Sequence, residues 1–183
     1  MLAPITLTQA FFPLLRAARG TIVNNASSGG VDTAYLPFSG AYNASKSAAA
    51  KLSHTLRLEL APFDVKVVTL YAGGVETRLW RNLASAGHTT LKSDSVYQPI
   101  KAETEKILSG EFIENAPLKP WAEGVVRQIL RPSPPREVWS GKLASVVWWL
   151  NFLAPLWLVD YAFSAQTGLN LLKGRLAAQR KAE

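Results

Sequence analysis

Between Thr21 and Ala72 two β-branched runs flank one long alanine-rich run, and this order narrows the fold more than any other feature. "TIVNNAS" and "VKVVTLYA" read as strands, and "AYNASKSAAAKLSHTLRLEL", from about Ala41 to Leu60, reads as a helix. Two strands joined by such a helix cannot form a hairpin. They must run parallel through a right-handed crossover. Near-continuous apolar strands imply a sheet covered on both faces. On the helix, Ala41, Ala48, Leu52, Leu56 and Leu60 are the candidate buried positions, and "APFD" closes it. Upstream, residues 5–19 read as a helix with Leu7, Phe11, Leu14, Leu15 and Ala18 on one stripe, Pro13 tightening it and Gly20 ending it. Downstream, residues 78–120 are polar with short helical pieces, an excursion or lid. "PWAEGVVRQILRP" reads as a helix with Pro120 near its first turn, and "REVWSG" as a last short strand.

With 183 residues, the chain suits one α/β domain plus an appendage. The absence of cysteine excludes a disulfide framework and a thiolate metal site. No His/Asp/Glu cluster suggests a metal. His54, in the long helix, reads as structural or surface, and His88 falls in the excursion without a partner pattern. The net charge of +7 comes without an Arg/Lys stripe or zinc-finger spacing, which argues against nucleic acid. An anionic membrane surface or a phosphorylated substrate fits the charge at least as well. The N-terminal stretch lacks the basic region and cleavage site of a signal peptide.

The chemistry concentrates in "SGAYNASKSAAAKL". Residues four apart on a helix share a face, so Tyr42 and Lys46 point the same way. A phenol alone is a poor acid at neutral pH, but an adjacent ammonium stabilises the phenolate, and such a pair can deliver a proton to a carbonyl. Ser27 and Ser28 in "NNASSGG" stand at the carboxyl end of the first strand, where sites in open α/β sheets lie. Asn43, Ala44, Ser45, Ser47 and Ala48 are small enough for a ligand to approach closely.

These stretches, with "GTIVNNASSGGV", "LELAPFDVKVVTLYAGGVET" and "WAEGVVRQIL", resemble the C-terminal half of a short-chain dehydrogenase/reductase across nearly all of residues 5–131. The resemblance implies the C-terminal part of a Rossmann-like, doubly wound parallel sheet without the N-terminal nucleotide-binding strands. It implies catalysis by Ser27, Tyr42 and Lys46, Tyr42 as acid/base and Lys46 also bonding the nicotinamide ribose. Aligning the strand favours Ser27, while counting back from Tyr42 favours Ser28. "YAGGVET" resembles the family's Pro-Gly-x-Val-x-Thr turn, with Ala72 for the Pro and Gly73, Val75 and Thr77 as cofactor contacts. NADP is the implied cofactor, with NAD not excluded, and a homodimer through the Tyr-bearing helix is implied as well. The family's Thr-Gly-x-x-x-Gly-x-Gly run is absent. Its site Asn would fall just before Ala3, where the chain has Met1 and Leu2. The first strand would then be a bare edge, and the chain reads as a truncated gene product, a fragment or a degenerate paralogue.

The tail extends the resemblance. "WSGKLASVVWWLNFLAPLWLVDYAF", together with "PF" before Tyr42, "LELAPFDVKV" and the Gly-Gly-Val-x-Thr turn, is similar to fungal NADPH-dependent 1-acyldihydroxyacetone phosphate reductases. That implies a lipid-like ketone substrate at the cytosolic face of the endoplasmic reticulum or a lipid droplet, a cytoplasmic enzyme being the alternative. Retinoid, steroid or polyketide ketones, and a non-catalytic membrane-associated remnant or interaction protein, are the competing functions. Residues 1–141 read as the truncated dehydrogenase domain and 142–183 as an apolar extension with a basic tail. Leu143–Val159 holds seventeen residues without a charge, interrupted by Pro155. A helix of that length spans about 25 Å, short for a bilayer. Trp148, Trp149, Phe152, Trp157 and Tyr161 suit a membrane interface, and Lys173, Arg175, Arg180 and Lys181 suit anionic headgroups. A membrane-lying helix pair is the first expectation, a substrate-pocket flap or dimer contact the second.

Overall fold

The computed structural model describes residues 3–182. Met1 and Leu2, where the site Asn would otherwise be expected, lie outside them. Helix α1 (Ala3–Ala17) leads into strand β1 (Thr21–Asn25), a short 3-10 turn at Ser28–Gly30, the long helix α2 (Gly40–Leu60) and strand β2 (Lys66–Ala72). Helices α3 (Leu79–Ser85) and α4 (Lys101–Leu108) occupy the excursion. Helix α5 (Leu118–Ile129) then returns to strand β3 (Glu137–Ser140). Helices α6 (Ala144–Leu153), α7 (Leu156–Gln166) and α8 (Leu169–Ala182) complete the described chain.

The three strands are parallel in the order β1-β2-β3. Val68 is the register partner of Val23, and Leu70 of Val138. Side chains alternate faces along β2. Val67 joins Leu56 and Leu60 of α2 and Phe12 and Leu15 of α1 on one face. Val68 and Leu70 join Val125, Trp121 and Ile129 of α5 on the other. The sheet is therefore covered on both sides, as its apolar strands require, and each fully buried Val or Leu contributes roughly 1.5–3 kcal/mol.

Two helix faces differ from the sequence expectation. On α1 the core contacts are Phe12 and Leu15, whereas Leu7, Phe11 and Leu14 face outward. On α2, Leu56 and Leu60 are buried, but Ala41 is exposed because the first turn overhangs the carboxyl edge of the sheet.

A buried polar chain sets the height of α2. The Thr69 hydroxyl donates to Ser53 Oγ at 2.7 Å, and Asn24 Nδ2 donates to the same oxygen at 3.1 Å. Ser53 and Thr69 are almost wholly buried, so these bonds join helix, β1 and β2 where no water competes.

Candidate active site

Because all three strands run the same way, the turns after β1, β2 and β3 converge on one edge. Ser27 is buried there. Its hydroxyl donates to the Ala72 carbonyl at 3.4 Å and accepts the Gly29 amide at 3.1 Å, capping the 3-10 turn. The donated bond is long, so the proton can turn toward another acceptor at small cost. Ser28 opens the turn and is half-buried, with no side-chain bond to the strands.

Tyr42 and Lys46 sit on the first turns of α2. Lys46 Nζ lies 5.8 Å from the centroid of the Tyr42 ring and donates to the Asn25 carbonyl at 3.3 Å, so β1 holds the ammonium beside the phenol. Tyr42 is 43% exposed and open to a ligand. Ser27 Oγ and Tyr42 Cε1 each lie 3.6 Å from the point a Cβ on Gly29 would take, so the two groups flank one glycine. Gly30 sits tighter still: a Cβ there would come within 2.7 Å of the Lys46 backbone. Only glycine lets α2 approach this closely.

Gly73 follows β2, and its amide donates to the Ser140 carbonyl at 2.8 Å. A Cβ on Gly73 would fall 3.0 Å from the Ala144 amide, which brings the start of α6 against this turn. Val75 bridges to Ala116, and Thr77 Oγ1 accepts the Leu79 amide at 3.3 Å. The structure thus gathers Ser27, Tyr42, Lys46 and the Gly73 turn at one edge. Thr77 lies at the start of the excursion, bonded within its own loop.

Aromatic contacts tie the loop between Ser27 and Tyr42 to distant segments. Phe38 meets Tyr97 of the excursion edge-on at 5.1 Å, and Tyr35 meets Phe163 of α7 at 5.7 Å. The Tyr35 hydroxyl donates to Asp160 at 2.7 Å. That bond, with some burial, holds the Tyr35 phenol above its ordinary range. A small cavity of about 200 Å³ beside Tyr42 is lined by Gly29, Val31, Tyr35, Asn43, Ala44 and Ser47.

His54 was legible in sequence only as a bystander. It shares a 2.9 Å hydrogen bond with the Tyr71 hydroxyl and lies 3.7 Å from Glu137. Tyr71 stacks on Trp139 at 4.1 Å. Burial, then the charges of Glu137 and Asp32, push the Tyr71 phenol up to about 12. This cluster lies beneath the site and has no contact with Tyr42 or Ser27 among these bonds.

A parallel three-layer α/β unit with a serine, a tyrosine and a lysine grouped at the carboxyl edge defines a class of site shared by many proteins. The sequence model of the short chain dehydrogenase family matches residues 1–87. The short-chain dehydrogenase virD of Hypocrea virens is 34% identical over 182 residues, covering 97% of this chain and 60% of the relative. A short-chain dehydrogenase from Streptomyces avermitilis shares the fold at a TM-score of 0.61 and 21% identity, covering 98% of this chain and 59% of that one. Another, from Burkholderia cenocepacia and solved in complex with NADP, gives 0.55 and 20%, covering 90% and 54%. The chain is similar to short-chain dehydrogenases and spans about 60% of the length of the curated relatives it matches.

Proposed function

We propose that this chain carries the catalytic and substrate-side part of an oxidoreductase that reduces a ketone to a secondary alcohol with NADPH. The observation that carries the reading is the Lys46 ammonium beside the Tyr42 ring, with Ser27 across Gly29. The residues present fit the nicotinamide end of such a cofactor. Lys46, anchored on the Asn25 carbonyl, would hold a ribose hydroxyl, and the turn at Gly73, Val75 and Thr77 would offer backbone groups at the same edge. No strand-to-helix turn in residues 3–182 carries the glycine-rich run that would cradle a pyrophosphate.

A nicotinamide bound at this edge would supply a hydride to the carbonyl carbon. The Tyr42 hydroxyl gives its proton to the carbonyl oxygen, so ketone, hydride and proton become one alcohol. Ser27 donates a hydrogen bond to that oxygen and fixes its position. Lys46 stabilises the phenolate left behind, and the Asn25 carbonyl keeps its ammonium in place. The oxidation of an alcohol runs through the same groups in reverse.

NADP in the Burkholderia relative supports NADP here, and the same residues would serve NAD. A lipid-like ketone of the acyl-dihydroxyacetone phosphate type is the substrate class we favour, because the Tyr35 ring lines the cavity next to Asn43 and Ala44 and packs on Phe163, an aromatic surface that suits an acyl chain. NADPH oxidation with acyl-dihydroxyacetone phosphate and a panel of apolar ketones tests this. Tyr42→Phe and Lys46→Ala should each remove most turnover, by roughly 10²-fold or more. Turnover that survives both changes defeats the proposed site.

A further inference from the structure

We propose that the outward face of α6 and α7 is a docking surface for an anionic lipid bilayer. Trp149, Phe152, Leu153, Leu156, Trp157 and Tyr161 are 58–71% exposed on two consecutive helices. Six large apolar side chains on one helix pair exceed the scattered exposure normal on a soluble surface and mark a contact site. Their inner neighbours Ala144 and Val159 are buried, so the pair is seated on the domain with its apolar side outward. No helix among the described residues is long and apolar enough to cross a membrane. The pair breaks at Ala154, with Pro155 capping α7, so each helix is short enough to lie in the interface plane.

The charges select the occupant. Asp160 is the one acidic residue in α6 and α7, and Tyr35 already binds it. Lys142 before α6 is already paired with Glu114 at 3.2 Å, but exposed Lys173, Arg180 and Lys181 lie on α8, which packs against α7. Anionic headgroups would be drawn to this basic rim, whereas a second copy of a chain of net charge +7 would be repelled by it. Trp149, Trp157 and Tyr161 have the amphipathic rings that settle at headgroup depth.

The surface adjoins the site. Thr33 bonds Asn151 of α6 at 3.5 Å, and Tyr35 bonds Asp160 of α7, so the loop between Ser27 and Tyr42 rests on the docking pair. Docking needs no turnover, and Tyr42→Phe should dock like the parent.

Flotation of the full chain with phosphatidylcholine vesicles, and with vesicles also containing phosphatidylserine, tests the proposal. Binding is expected to the anionic vesicles, with quenching of tryptophan fluorescence by brominated lipid. The exposed double change Phe152→Glu with Trp157→Glu should weaken it at least about tenfold. No flotation and no quenching in the parent overturns the proposal. So does vesicle binding indifferent to the double change, or a dimer that the double change splits while vesicles bind neither form.

Discussion

Gly30→Ala probes how α2 is held over the site. The new Cβ would lie 2.7 Å from the Lys46 carbonyl carbon, 2.8 Å from its oxygen and 2.9 Å from the Ser47 amide. These atoms are backbone and cannot swing aside. Ordinary contact begins at 3.4 Å, so the helix or the turn must move by about 0.7 Å. Overpacking of that size costs roughly 1–3 kcal/mol. It also carries Tyr42 and Lys46 away from Ser27, and a misplacement near 1 Å costs about 10²-fold in rate. Gly29→Ala is the control, since its Cβ would meet Ser27, Tyr42 and Asn43 at 3.6–3.7 Å, ordinary contact. Urea unfolding should show Gly30→Ala lowered by that amount and Gly29→Ala within about 0.5 kcal/mol of the parent. Equal stability of all three would refute the close approach of α2 to the turn.

Ser53→Ala strands Asn24 Nδ2 and Thr69 Oγ1 without their shared acceptor, and denaturation should show a loss of about 1–3 kcal/mol. The raised Tyr71 phenol contributes stability that is complete below its unfolded value of 10.0 and lost as pH rises toward about 12. Tyr71→Phe should flatten the alkaline limb of the stability curve, and an unchanged limb would exclude Tyr71 as its source. Glu103 is held below its ordinary range chiefly by the Arg175 hydrogen bond at 2.9 Å, which joins α4 to α8. That contribution is present above pH 4.5 and lost as pH falls through the lowered value, so hydrogen exchange in α8 should rise in acid, and Glu103→Gln should remove the rise.

The β1–α2–β2 unit was legible because β-branched runs and an alanine-rich run differ in both period and composition. The grouping of Tyr42 with Lys46 followed from helical spacing alone. The face of α1 was not legible, since Phe11 and Phe12, and Leu14 and Leu15, put apolar groups on two adjacent faces. Only packing against Leu56 and Val67 selects Phe12 and Leu15. His54 gave no signal because its partners Tyr71 and Glu137 come from two other elements. The clasp between Tyr35 and Asp160 joins residues 125 positions apart, beyond any local pattern.

Proton delivery by Tyr42 is tested most directly by measuring NADPH binding and NADPH-dependent ketone reduction side by side in the parent and Tyr42→Phe. Binding should be retained while turnover falls by roughly 10²-fold or more. A Phe variant that binds NADPH and reduces the ketone at the parent rate would contradict the assignment.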